Sequence, residues 1–557
     1  IPVYYPQNVG AVGGLVGMIG GLGGFVLPIV FGALLDVTGV YTSCFMLLFA
    51  LVAMALAWMH LSIRAMERRA IGQALDTLPE LPEMAEIHVP GKTVMPRVID
   101  DWQPEDPSFW GATGKRIAHR NLWLSIPALT LAFSVWMVWS MVVAKLPAVG
   151  FNFTPDQLFW LAALPSLSGA TLRIFYGFMV PIFGGRLWTT VSTASLLIPA
   201  MGIGYAVQNP ETPYLVFLIL ALLCGLGGGN FASSMANIGY FFPKAEKGHA
   251  LALNAGLGNL GVSLMQFLVP LVITAGVFGA VGGGAQTVTE GGQLWLQNAG
   301  FVWVPFILVS TIAAWLGMND LADARASFAQ QAVIFGRAHN WIMCVLYIGT
   351  FGSFIGFSAA FPLLCKLTFP DINVLQYVFL GPLVGALARA GTGWVSDRFG
   401  GGRVTFWVFA GMILATLGVI WARHTMSFPA YFASFIALFF FTGVGNASTF
   451  QMIPVIMGRE VPRLMPKLAG VDMSRQIAME SAGIVAFSSA IGAYGGFFIP
   501  KAYGTAIALT GTPGAALWAF LGFYVLCLIV TWAVYTRPGG LLHDIERGRA
   551  AKIAQPA

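Results

Sequence analysis

The sequence predicts an all-α integral membrane protein: a twelve-helix unit of two six-helix halves (6+6), preceded by an extra transmembrane helix pair, about 14 helices in total. Three observations predict it. Of 557 residues, 57% are hydrophobic and only 9% charged, where soluble domains carry about 25% charged residues. Apolar runs of about 20 residues, enough to cross a bilayer, recur along the chain. Finally, features of the first half return 216 positions later: Arg173 with Arg389, Gly184-Gly185 with Gly400-Gly401, and Gly229-Asn230 with Gly445-Asn446.

In chain order, residues 1–66 form two apolar spans, about 10–34 and 42–66. The block Ile19-Gly20-Gly21-Leu22-Gly23-Gly24-Phe25-Val26-Leu27-Pro28 echoes Ile491-Gly492-Ala493-Tyr494-Gly495-Gly496-Phe497-Phe498-Ile499-Pro500. So specific an internal repeat marks residues 1–66 as the remnant C-terminal helix pair of a first, related module. Residues 67–113 are polar and contain Pro79, Pro82, Pro90, Pro96, Pro104 and Pro107. They are expected to form an extended cytoplasmic linker, since such a composition cannot bury enough apolar surface to make a core. Lys115, Arg116, His119 and Arg120 then suit a helix end lying at the membrane surface.

Twelve spans follow, at about 121–146, 158–183, 187–207, 214–239, 248–276, 299–317, 340–365, 374–396, 403–421, 428–456, 476–502 and 513–536. They divide the chain into a first bundle (114–317), a central cytoplasmic loop (318–339), a second bundle (340–541) and a cytoplasmic tail (542–557). Arg186, Lys244, Lys247, Arg325, Arg337, Arg398, Arg403, Arg459, Arg463, Lys467 and Arg475 share one set of alternating loops, whereas the other set holds only Lys145, Lys366, Arg423 and Lys501. Basic loops stay cytoplasmic, so both ends of the twelve-helix unit are placed there. Parallel six-helix repeats are the plan of major-facilitator transporters, with substrate bound between the halves near the midplane.

Several function classes are excluded. The net charge of +6 is explained by those loops, and no basic run interleaved with aromatics points to nucleic acid. Cys44, Cys224, Cys344, Cys365 and Cys527 stand singly in apolar segments and read as buried structural thiols. Only His60 lies in a span, so a haem-bearing subunit lacks its paired ligands; the other histidines read as solvated. No cofactor or metal is expected, and no obligatory protein partner; the one required surrounding is the lipid bilayer.

The chemistry centres on Arg173 and Arg389. Each lies in the middle of an apolar span within the pattern G-A-x-x-R-x-x-x-G, at Gly169-Ala170 to Gly177 and Gly385-Ala386 to Gly393. A buried cation costs about 2.5–3.5 kcal/mol at a helix centre, which marks a functional site facing a cavity. Glycines four residues either side share its helix face and admit a close neighbour. No Asp or Glu lies well inside any of the twelve spans; Asp397 and Glu480 come nearest, at helix ends. Two arginines without a counter-charge predict an anionic substrate, and with no carboxylate or histidine relay they favour anion exchange over proton coupling. Gly256, Gly258 and Gly261 around Asn259, and Gly492, Gly495 and Gly496 in the eleventh span, read as packing or gating ridges. The Asn259 amide could also donate to an anion. Phe231, Tyr347 and Phe351 sit on helices that could line the cavity, or simply pack.

At these arginines, the Gly-Asn pairs and the two glycine-rich helices, the sequence resembles the NarK-type nitrate/nitrite porters of the major facilitator superfamily. The resemblance runs from Ile99 to Tyr535 and includes Asn230-Phe231-Ala232-Ser233-Ser234-Met235-Ala236-Asn237 and Phe351-Gly352-Ser353-Phe354-Ile355-Gly356-Phe357. Residues 14–25 resemble the glycine-rich signature of the sister subtype, so the chain is similar to a two-porter fusion lacking most of its first module. The resemblance implies an inner-membrane carrier whose partners are the nitrate and nitrite anions. It implies that Arg173 and Arg389 bind the anion oxygens, that Asn259 and Tyr347 add hydrogen bonds, and that Phe231 and Phe351 sandwich the flat anion. Nitrate–proton symport and exchange of larger organic anions or organophosphates stay open as alternatives.

Overall fold

The computed structural model describes residues 97–288, 291–322, 332–467 and 469–546, together with Trp58 and Leu61. Apart from those two residues, the helix pair expected in 1–66 and the linker up to residue 96 lie outside the described residues, as do Cys44 and His60. Among the described residues, twelve helices are long and apolar enough to cross a membrane. They are α1 (Pro107–Val142), α2 (Pro155–Tyr176), α3 (Gly185–Ala206), α4 (Tyr214–Phe241), α5 (Glu246–Val272), α6 (Asn298–Gly317), α7 (Ala338–Thr368), α8 (Val374–Gly391), α9 (Gly401–His424), α10 (Phe428–Leu464), α11 (Gln476–Thr510) and α12 (Gly514–Thr536).

The first helix starts earlier than its apolar stretch. Lys115, Arg116 and Arg120 lie in one continuous helix with the span that follows, near its beginning. Residues 97–113 are not extended throughout. Trp102 packs edge-on against Phe109 and Phe241, with ring centroids 5.2 and 5.4 Å apart. The two-residue strand β1 (Val98–Ile99) pairs in parallel with another, Asp320–Leu321, that follows α6. Proline-rich composition forecast a chain without a core of its own, but these aromatics borrow apolar surface from α4.

Local sequence explains the helix starts. Helix α2 opens on a reciprocal cap, Thr154 with Gln157, and has Pro155 in its first turn. Helices α3 and α9 begin on the second residue of the repeated double glycines, after Gly184 and Gly400, which hold φ of 87° and 95°, a left-handed backbone that suits glycine. Their orphan amides are met by distant carboxylates. The Arg186 amide donates to Asp320 Oδ1 at 2.7 Å, and the Gly402 amide donates to Glu546 Oε1 at 2.7 Å. Asp320 follows α6 and Glu546 follows α12, so each half ties its last helix back to its third by the same anion-at-helix-start interaction.

Within each half, α4 packs on α1 and α2, and α10 packs on α8 and α9; between halves, α2 lies along α11, α5 along α8, and α1 against α7. Glycines permit the tightest approaches. Gly169 faces Gly228 so closely that a Cβ on it would sit 3.1 Å from the Gly228 Cα and 2.6 Å from Trp136 Nε1, and a Cβ on Gly261 would run into the Thr130 carbonyl of α1. Gly258 faces Leu129, Gly256 faces Ala390, Gly385 faces Phe354 and Phe439, Gly492 faces Tyr347, Gly495 faces Gly352, and Gly496 faces Ser166 and Ile355. Gly177 and Gly393 behave otherwise. A Cβ on Gly177 would meet only the Arg173 carbonyl, at 3.8 Å, and one on Gly393 nothing within 4 Å. Both lie where a helix stops or restarts, α2 ending at Tyr176 and a short helix beginning at Gly393, so neither meets a partner helix. Gly261→Val should therefore destabilise the protein by about 1–3 kcal/mol through overpacking, and Gly177→Ala by far less, as read by thermal unfolding in detergent.

Two polar groups depart from the sequence expectation. His339 is not solvated: its Nδ1 lies 3.1 Å from the Tyr535 hydroxyl and its Nε2 3.7 Å from Glu460. Glu480 is fully buried in α11 and accepts two hydrogen bonds from Arg337, at 2.7 and 2.8 Å, and a third from Gln476 at 2.9 Å. The hydrogen bonds that Arg337 donates to Glu480 push its pKa up, outweighing burial, which lowers it. Removing one member of such a pair leaves the other buried and unpaired. Glu480→Ala should cost about 3–5 kcal/mol, whereas Arg337→Met with Glu480→Leu should recover most of it, again read by thermal unfolding. Cys224, Cys344, Cys365 and Cys527 are free and buried, as expected.

Candidate functional site

The two arginines meet at the junction of the halves. Arg173 is 2% exposed and Arg389 9%, and their guanidinium carbons lie over the same two rings. Arg173 is 4.7 Å from the centre of Phe231 and 5.0 Å from that of Phe351; Arg389 is 6.0 and 5.7 Å from them. Phe231 comes from α4 and Phe351 from α7, so each half supplies one arginine and one ring. The rings are nearly parallel, 28° apart with centroids separated by 6.4 Å.

Position and orientation follow from the packing around them. The close contact of Gly169 with Gly228 brings α4 within reach of Arg173, whose Nε donates to the Gly228 carbonyl at 2.8 Å. Its Nη1 donates across the junction to the Ser489 carbonyl of α11 at 3.1 Å. Trp136 covers a further side at 5.0 Å, held by its own Nε1 bond to the Pro165 carbonyl at 2.7 Å. On the other side, Phe450 of α10 lies 5.5 Å from Arg389 and stacks on Tyr347 at 4.4 Å, which stacks in turn on Phe351 at 5.3 Å. Gly256 abuts Ala390, bringing α5 and Asn259 to the helix that carries Arg389.

The donors of this cluster are incompletely used. Arg173 Nη2, Arg389 Nη1, the Tyr347 hydroxyl and both polar atoms of the Asn259 amide are buried without a hydrogen bond. The Tyr347 hydroxyl is nonetheless within electrostatic reach of both guanidiniums. None of the ion pairs among the described residues involves Arg173 or Arg389. Two cations in an aromatic setting, with spare N–H donors and no carboxylate beside them, have the charge and donor chemistry that a small anion would pair with. The structure thus brings Arg173, Arg389, Phe231, Phe351 and Tyr347 together and sets Asn259 on the adjoining helix. Trp136 and Phe450 escaped the sequence reading. Phe450 lies one helical turn beyond Asn446 of the repeated Gly-Asn pair, a signal that could have found it; Trp136 carries none.

The Major Facilitator Superfamily profile matches residues 124–474. The nitrate/nitrite transporter NarU of Salmonella typhimurium is 52% identical over 446 residues, covering 79% of this chain and 96% of the relative. The chain belongs to the NarU/NarK transporters of that superfamily. It is a transporter, not an enzyme. A probable nitrate/nitrite antiporter, NarK2 of Thermus thermophilus, is 43% identical over 452 residues, covering 79% of this chain and 97% of the relative. Among solved structures, the xylose transporter XylE from E. coli in a partially occluded inward-open conformation superposes with a TM-score of 0.54 over 76% of this chain and 99% of that one. A D-xylose-proton symporter does so with a TM-score of 0.52 over 73% and 97%. At 12% and 16% identity these two share the fold alone.

If the fork of donors at Arg389 is what binds, then Arg389→Lys, which keeps the charge, should weaken anion binding at least about tenfold, since an ammonium cannot reproduce two parallel N–H bonds. Calorimetric titration of purified protein with nitrate checks this; wild-type affinity would remove Arg389 from the site.

Proposed function

We propose that the chain exchanges nitrate for nitrite across the bacterial inner membrane by alternating access, with the anion held between Arg173 and Arg389. The observation that carries this reading is that both guanidiniums lie over one ring pair with no carboxylate beside them. The names of the NarU and NarK2 relatives support the substrates. Nitrate and nitrite are flat, and a guanidinium is a flat, permanently charged fork of donors that pairs with two oxygens at once. A slight widening of the 6.4 Å ring separation admits a planar anion between Phe231 and Phe351, where it would accept from Arg173 Nη2, Arg389 Nη1 and the Tyr347 hydroxyl. Asn259 supplies a further amide donor from α5.

The same charges explain the proposed exchange. Moving two unpaired buried cations through a closed state is unfavourable, and a bound anion offsets part of that, so the carrier turns over loaded in both directions. Two buried ionisable pairs of the second half, His339 with Glu460 and Arg337 with Glu480, lie at the ends of α7, α10 and α11 and pair with each other, not with the arginines, beside which a proton relay coupled to the anion would act. In this reading the basic loops and both ends of the twelve-helix unit face the cytoplasm. Proteoliposomes loaded with nitrate should take up labelled nitrite at least about tenfold faster than empty ones, with no effect of a protonophore. Equal uptake into empty vesicles that collapses with the protonophore would identify proton symport instead.

A further inference from the structure

The seam between α2 and α11 is closed along its length, and its far end carries a charge pair that the anion site does not use. Lys501 Nζ donates to Asp156 Oδ1 at 2.8 Å. The lysine also sits 4.6 Å from the centre of Trp160, which packs on Phe497 at 5.8 Å. Deeper in, Gly496 abuts Ser166, and beyond that Thr171 shares a hydrogen bond of 2.8 Å with the Tyr494 hydroxyl. Arg173 closes the series through its bond to Ser489. From Asp156 to Arg173 this seam runs about 25 Å along the helix axis, from the loop end opposite the basic loops to the anion site. The other ion pairs described, at Lys115, Arg186, Arg337, His339 and Arg403, each lie within one half. The Asp156–Lys501 pair joins the halves, and both side chains are partly exposed, at 30% and 26%.

We propose that this seam is the outer gate, that the Asp156–Lys501 pair latches it, and that Lys501 is the first cation an entering anion meets. The inference rests on the anion-transport reading above. A partly exposed pair holds two surfaces together only weakly, which suits a contact that must break in every cycle. When the halves part, Asp156 stays on α2 and Lys501 on α11, so the ammonium loses its carboxylate as the seam opens. An inorganic anion arriving from that side takes the place of Asp156 on Lys501, which draws it to the mouth and opposes reclosure of the empty gate. Asp156 at the same mouth repels it only while unpaired, so the two residues act in opposite senses on anion entry.

The test uses the full chain in proteoliposomes, with Ser166→Cys as a reporter inside the seam and a membrane-impermeant thiol reagent applied from the Asp156 side. Adding Asp156→Asn or Lys501→Gln to the reporter should speed labelling about two- to fivefold, and the exchanged pair, Asp156→Lys with Lys501→Asp, should return it to the reporter's own rate. This readout needs no substrate, so it stands or falls apart from nitrate transport. Labelling unchanged in both single variants would overturn the gate. For entry, Lys501→Gln should raise the KM for external nitrite several-fold while Asp156→Asn does not, with kcat little changed in either. Equal KM in the two variants would overturn the role of Lys501 as the entry cation.

Discussion

Burying two guanidinium groups where the halves meet, without a carboxylate to neutralise them, is the constraint around which the rest of the molecule is arranged. A cation in a low-dielectric interior is tolerated only when its donors are used and its faces are covered. Arg173 meets the second demand through the rings of Trp136, Phe231 and Phe351 and the first only in part, Nε and Nη1 donating to the Gly228 and Ser489 carbonyls while Nη2 is left without a partner. Carbonyls and ring faces stabilise a cation without cancelling its charge, so an attraction for anions survives. Arg389 is served less fully, by three rings and a nearby hydroxyl.

Small residues make that arrangement possible. The Gly228 carbonyl is within reach of Arg173 because Gly169 and Gly228 let α2 and α4 come together, and no side chain stands in the way. On the opposite half, the contacts of Gly385 with Phe354 and of Gly492 with Tyr347 hold the aromatic stack beneath Arg389. Glycine supplies approach, and the aromatics it admits supply the surface on which charge is carried.

Each half is fastened internally at the ends from which the basic loops emerge. Asp320 and Glu546 reach back from the end of each half to the start of its third helix, and Glu480 and Glu460 tie Arg337 and His339 into the second half. The contacts that cross between halves are of another kind: hydrogen bonds to the Ser489 and Ser358 carbonyls, a shared hydroxyl bond, ring contacts, glycine approaches and a partly exposed ion pair. Strong ties inside the halves and weak ones between them are what two bodies rocking about a central site require.

The sequence by itself determined the class, the twelve spans of the described residues and the arginine pair, because a bilayer demands long apolar helices and makes every charge inside them conspicuous. It also exposed the duplication, since Arg173 and Arg389 recur at one offset with their Gly-Gly and Gly-Asn companions. Tertiary structure decided what depends on which surfaces touch. That Gly177 and Gly393 pack against no helix, that His339 is enclosed, that residues 97–113 fold onto α4 and that Glu480 is paired with Arg337 all follow from contacts between segments far apart in the chain. Spacing along one helix places a side chain on a face, but the identity of the opposing helix is not written in it. For the same reason Trp136, which helps to complete the aromatic surround of the two arginines, became visible only once the helices were assembled.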